Sequence, residues 1–262
     1  MKRDVEPNKE ENNVDGVEIL PDQMIKGAPH PSEETMEQWD ALCEKYQIKP
    51  VIADIFLNTN LYENRELTKK ECVDLLIEEL KLANRMGMKM VRLVSMTPSF
   101  VLEPLLPYCE KYDVKVALEI HAGLSFDKQK TKDYIAEMKR LNSPYIGLVI
   151  DTGIFCKRIP RVMENYCKAL GTSQAPIDIV NNLFETGKDG RDVYGPDGDF
   201  IPELKAVLKS GPDHMYAHFA DGYVSTEYEG NRWTLPGHPT TEKEQVIMHQ
   251  QYIRKCLKEI QG

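Results

Sequence analysis

No run of about 18 apolar residues occurs in this chain, so no membrane-spanning helix is expected. The first residues, Met1-Lys2-Arg3-Asp4-Val5, lack the apolar core of a signal peptide. Basic residues are in deficit. Lys and Arg number 33 against 42 Asp and Glu, a formal charge of −9, which argues against nucleic acid and against an anionic membrane surface as partners. The six cysteines (Cys43, Cys72, Cys109, Cys156, Cys167, Cys256) are scattered, and none forms a CxxC pair. That pattern reads as reduced thiols filling the core of a cytoplasmic protein. What is present is a 41% hydrophobic chain of 262 residues, the size of one large α/β domain.

Strand-like and helix-like runs alternate, the mark of a parallel sheet with crossover helices. Strands are expected over residues 15–20, 49–57, 88–95, 114–121, 145–151, 214–219 and 223–228. Helices are expected over 32–46 (Ser32 as N-cap), 69–86 (Thr68 as N-cap, Gly87 as terminator), 99–112, 127–141, most of 158–186, 200–209 and the tail from Glu242. Seven strands and a stub at residues 2–5 predict a (β/α)₈ barrel, a single domain over 1–262. Two places break the pattern. The stub runs into a short polar stretch, and only three residues separate Phe219 from Tyr223. Parallel neighbours need a crossover of at least about a dozen residues. The expectation is therefore that segments are missing from the sequence near residues 4–14 and 219–221.

Four polar residues each end one of these apolar runs: Glu119, Asp151, His218 and Glu227. A charge inside an apolar strand is costly unless paired. Two Glu, one Asp and one His at strand ends suit one shared divalent cation, and the oxygen-rich set favours Mn²⁺ or Mg²⁺. Glu119 and His121 are two apart, so both face one side of their strand. Imidazole is the ordinary side chain for proton transfer near neutrality, which makes His121 a candidate base or substrate contact. Glu227 and Glu229 are also two apart. Glu227 is taken as the ligand, and Glu229 as an acid, a base or a holder of a sugar hydroxyl. His214, Tyr216 and His218 share a face, and His218 is chosen because it lies nearest the C-terminal end of its strand, where barrel sites form. Lys157 and Arg158, with Arg161, either bind an anionic or phenolic substrate or form a solvated cluster at a helix start. Asp54 and Arg92, both inside apolar strands, read as a structural ion pair. The loop at 187–199, rich in Gly and Asp, reads as a surface loop and not a calcium loop, since no Glu closes it at the right spacing.

The order Glu119, Asp151, His218, Glu227 resembles the xylose-isomerase-like barrels, the sugar isomerase and epimerase group. Leu118-Glu119-Ile120-His121-Ala122, Asp151-Thr152-Gly153-Ile154-Phe155, Ser225-Thr226-Glu227-Tyr228-Glu229-Gly230 and Asp15-Gly16-Val17-Glu18-Ile19-Leu20-Pro21-Asp22 are similar, more narrowly, to the α subunit of bacterial C-glycoside deglycosidases. The epimerases carry a His three residues after the Asp, where this chain has Ile154. The resemblance implies a metal-dependent carbon–carbon lyase subunit acting on 3-oxo-C-glucosides, with Mn²⁺ as cofactor (Mg²⁺ or Co²⁺ being the other candidates). Deprotonation at C2 would be followed by β-elimination of the aglycone. It implies a smaller β subunit and hence a hetero-oligomer. His121 and Glu229 would be catalytic, and Lys157, Arg158 and His214 would bind substrate. A keto-sugar isomerase or epimerase, and a non-catalytic sugar-binding barrel, are the competing readings.

Overall fold

The computed structural model describes residues 14–57, 59, 65–94, 97–121, 129–151, 158–159, 161–186, 235, 237 and 242–261. The expected missing segments, the stub strand, the last two strands and the helix at 200–209 lie outside the described residues, as do Cys156 and the loop at 187–199. The described residues fall into two compact units.

The first unit alternates strands and helices: β1 (Gly16–Ile19), α1 (Pro21–Met24), α2 (Glu33–Tyr46), β2 (Lys49–Ile55), α3 (Lys69–Arg85), β3 (Met90–Leu93), α4 (Leu102–Tyr112, entered through a 3₁₀ turn Ser99–Val101), β4 (Lys115–Ile120), α5 (Gln129–Leu141) and β5 (Ile146–Ile150). All four strand pairings are parallel, and the spatial order is β1-β2-β3-β4-β5. Each strand lies beside its predecessor in sequence, with a helix in the connection. That order is the α/β pattern of a TIM barrel, five strands of which are described.

Local chemistry sets the elements. Ser32 accepts from the Thr35 backbone at 3.3 Å and caps α2, whose first turn carries Glu33 and Glu34. Thr68 and Glu71 form a reciprocal capping box at the start of α3. Gly87 ends α3 with a left-handed φ of 80°, a conformation that costs glycine nothing. On α3 the buried residues are Cys72, Leu76, Ile77, Leu80, Leu82 and Ala83, a stripe at helical spacing. Helix α1 was not foreseen from the sequence. Pro21, already bent for a first turn, starts it directly after β1.

Register assigns the two faces of the sheet. Glu18 lies opposite Ile52, Ile52 opposite Met90, Asp54 opposite Arg92, Arg92 opposite Ala117, and Glu119 opposite Val149. With side chains alternating along each strand, these residues share one face. Ile52, Met90, Ala117 and Val149, with Val51, form a buried apolar cluster. Glu18, Asp54, Arg92 and Glu119 add a charged layer on that same face.

The second unit holds His121, Asp151, and helices α6 (Arg161–Ala169), α7 (Gln174–Thr186) and α8 (Glu242–Gln261). The expected helix over 158–186 is split in two. Gly171 takes a φ of 90°, and Thr172 donates back to the Cys167 carbonyl at 2.9 Å, a left-handed stop. Ile159 and Ile177 are buried together, with Met163, Cys167 and Val180 packed against them. All five described cysteines are free, and Cys72, Cys109 and Cys256 are buried. No described helix is long and apolar enough to cross a membrane.

Candidate active site

Strand β4 carries Glu119 as its penultimate residue, 5% exposed. Its neighbours on the strand, Leu118 and Ile120, point to the opposite face and are fully buried. An isolated carboxylate could not stay ionised in such a place. Arg92 on β3 resolves this. Its Nη1 donates to Glu119 Oε1 at 2.8 Å. The same guanidinium forks onto Asp54 of β2, Nε to Oδ1 at 2.5 Å and Nη2 to Oδ2 at 2.7 Å. Glu18 of β1 reaches Arg92 Nε at 3.0 Å. The expected Asp54–Arg92 ion pair is thus present, within a larger cluster of one cation and three carboxylates.

Burial raises the Asp54 carboxyl well above the usual range. The charge of Glu18 pushes the same way and Arg92 opposes it. Burial pulls the Arg92 guanidinium down, but Glu18, Asp54 and Glu119 together outweigh that and hold it above its ordinary value. Arg92 therefore stays cationic, and hydrogen bonding to Glu18 adds to the rise of the Asp54 carboxyl. The contact between Arg92 and Glu119 was missed from sequence. Two-residue alternation marks Arg92 and Glu119 as facing residues on their strands, but only the register places them side by side.

His121 and Asp151 are the next residues beyond the ends of β4 and β5, whose last pair is Ile120 opposite Ile150. The two side chains meet, His121 Nε2 to Asp151 Oδ2 at 3.3 Å. His121 is half exposed and Asp151 is 20% exposed, so the pair is open enough for a substrate to reach. Arg158 is held on Glu164 of α6 at 3.0 Å, and Lys168 holds the same carboxylate from the next turn. Lys157, His214, His218, Glu227 and Glu229 lie outside the described residues. Among the described residues no group of three or more His, Cys, Asp or Glu side chains forms a metal cluster. Glu119 lies near the end of β4 in the first unit, and Asp151 directly follows β5 and belongs to the second.

A sheet of sequential parallel strands joined by helices defines the class, a TIM-barrel protein. Residues 9–238 match the model of the xylose isomerase-like TIM barrels, and the chain belongs to that family. It is similar to the 3'-dehydrocarminate deglycosidase alpha subunit of Microbacterium sp, with 25% identity over 236 residues, covering 89% of this chain and 65% of that one. It is also similar to a C-glycoside deglycosidase alpha subunit of Arthrobacter globiformis, with 26% identity over 154 residues, covering 58% of this chain and 42% of that one. The chain thus spans between 42% and 65% of the length of these two relatives. Among solved structures, a xylose isomerase domain protein from Planctomyces limnophilus matches with a TM-score of 0.54 at 15% identity, covering 94% of this chain and 90% of that one. D-psicose 3-epimerase, solved in the presence of D-fructose, matches with a TM-score of 0.54 at 11% identity, covering 93% and 89%. At such identities these two likenesses concern the fold alone.

Proposed function

We propose that the chain is the metal-binding subunit of a C-glycoside deglycosidase, a lyase that cleaves the bond between a 3-oxo-glucose and an aromatic carbon. The observation that carries this reading is the meeting of His121 and Asp151, the residues that directly follow two adjacent parallel strands, in a chain that matches deglycosidase alpha subunits. Glu119, Asp151, His218 and Glu227 hold a divalent cation, Mn²⁺ by preference. Bound there, such a cation polarises neighbouring sugar oxygens and makes the adjacent proton more acidic.

The chain's own residues supply the rest. His121 takes the proton from C2, whose acidity comes from the carbonyl at C3. Asp151 orients the imidazole through the contact at 3.3 Å and balances the charge it gains. The electron pair released at C2 is delocalised onto the C3 oxygen, and its return expels the aglycone carbon from C1. Glu229 then protonates the leaving carbon, with help from a phenolic hydroxyl of the aglycone. Lys157, Arg158 and His214 bind the substrate. Arg158 must exchange its bond to Glu164 for the substrate to do so. A smaller β subunit completes the working enzyme, which acts in the cytoplasm.

The test is co-purification with the small partner, followed by an assay with Mn²⁺ on a 3-oxo C-glucoside. Release of the free aglycone is expected, with none from the unoxidised glucoside, whose C2 proton lacks the neighbouring carbonyl. Deuterium exchange at C2 without aglycone release would replace this reading with a keto-sugar isomerase or epimerase. Binding of the sugar with neither outcome would leave a non-catalytic sugar-binding barrel.

A further inference from the structure

The proposed chemistry uses Glu119 and assigns nothing to the charges packed behind it. Arg92 is 5% exposed and Asp54 is 3% exposed, on the interiors of β3 and β2. A salt bridge this deep contributes little net stability compared with apolar side chains of the same shape, so its presence is not explained by stability alone. Its geometry is informative. Two of the three guanidinium nitrogens, Nε and Nη2, are fixed by the single carboxylate of Asp54. A planar fork held at two points has no remaining freedom to turn, so the direction of the third nitrogen is set. That nitrogen, Nη1, donates to Glu119 Oε1 at 2.8 Å. Glu18, near Nε at 3.0 Å, closes the cluster from β1.

We infer that Arg92, locked by Asp54, is a positioning residue that fixes the carboxylate of Glu119 in one orientation before a cation arrives. The terminal torsion of a glutamate is broad and two-fold, so an untethered carboxylate has to be ordered at the moment of binding. One oxygen of Glu119 is already committed to Arg92. The plane of the carboxylate, and with it the direction of the other oxygen, follows. Groups that hold a metal ligand in this way are typically worth about 10–100-fold in metal affinity. This inference rests on the reading of Glu119 as a ligand, so the experiment has to separate the two.

The experiment is calorimetric titration of the full chain with Mn²⁺ alone, for the parent, Glu119→Gln, Arg92→Lys and Asp54→Asn, alongside thermal unfolding of each without metal. Lysine keeps the charge but cannot fork, and asparagine keeps the shape but not the charge-assisted clamp. Glu119→Gln should lose Mn²⁺. Arg92→Lys and Asp54→Asn should remain folded and bind Mn²⁺ roughly 10-fold or more weakly. A merely structural ion pair would lower the unfolding temperature and leave the affinity alone. Affinity within about twofold of the parent in folded Arg92→Lys or Asp54→Asn, against the roughly 10-fold expected, overturns the positioning role. If Glu119→Gln still loses the metal, the metal site itself stands. Should one of the two variants not fold, the other decides by the same measure. No uptake of Mn²⁺ by the parent overturns the metal reading and this inference with it.

Discussion

Replacing Arg92 with methionine tests the electrostatics of the buried charged layer on the sheet. The side chain keeps its bulk and loses its charge. It leaves Glu18, Asp54 and Glu119, which the guanidinium reaches at 3.0, 2.5 and 2.8 Å, without their shared cation. Breaking a buried ion cluster by removing one partner costs about 3–5 kcal/mol. Set against the roughly 5–15 kcal/mol of a whole domain, that is a large part of the total. The pH dependence has a definite sign. Without the cation the buried carboxyls of this layer bind protons more tightly in the folded variant than in the folded parent, because no positive charge remains to favour their ionised forms. A carboxyl raised in the folded state favours folding when protonated, and the benefit is lost as pH rises through its folded value. The deficit of Arg92→Met should therefore be larger at pH 8 than at pH 5. Urea unfolding at both values measures it. A deficit below about 1 kcal/mol at pH 8, far short of the cost of a broken buried pair, or one that grows towards pH 5, would refute the reasoning.

Three further outcomes are expected. Glu79 on α3 has a buried oxygen, Oε2, with no hydrogen-bond partner among the described residues, and burial, with Asp22 adding, pushes its carboxyl from 4.5 up to about 7. Its contribution to stability is present below pH 4.5 and lost as pH rises through 7, so Glu79→Gln should match the parent at pH 4 and exceed it by about 1–3 kcal/mol at pH 8 in urea unfolding. Thr68→Ala removes the hydroxyl that caps the Glu71 backbone N–H at the start of α3, leaves the residue-68 backbone N–H on the Glu71 carboxylate, and should cost about 1 kcal/mol in the same assay; no change would mean that packing alone holds that helix end. His121→Ala should keep Mn²⁺ yet lower turnover by about 10²-fold or more, the usual worth of a positioned base, and full activity would move that role to Glu229 or the partner subunit.

Much of the first unit was legible because its signals are local. Apolar runs of four to seven residues became β1 to β5, and Ser32, Thr68 and Gly87 punctuated helices where their chemistry requires. The break at Gly171 was legible but missed: Gly171-Thr172-Ser173-Gln174 interrupts the apolar pattern, and the glycine supplies the left-handed stop. Glu119, His121 and Asp151 could be picked out as polar residues ending apolar strands. The bridge from Arg92 to Glu119 could not, since it depends on the register of β3 against β4, which no single segment encodes. Glu18 was passed over for the same reason, as one polar residue in a strand whose neighbour was not yet aligned.

The most direct measurement of the central claim is anomalous scattering at the manganese edge from crystals of the full chain soaked in Mn²⁺. The account predicts one strong peak at the C-terminal ends of the strands. It should lie within about 2.0–2.3 Å of carboxylate oxygens from Glu119, Asp151 and Glu227 and of a nitrogen of His218. A peak bound by other residues, or no peak at the strand ends at all, would contradict it.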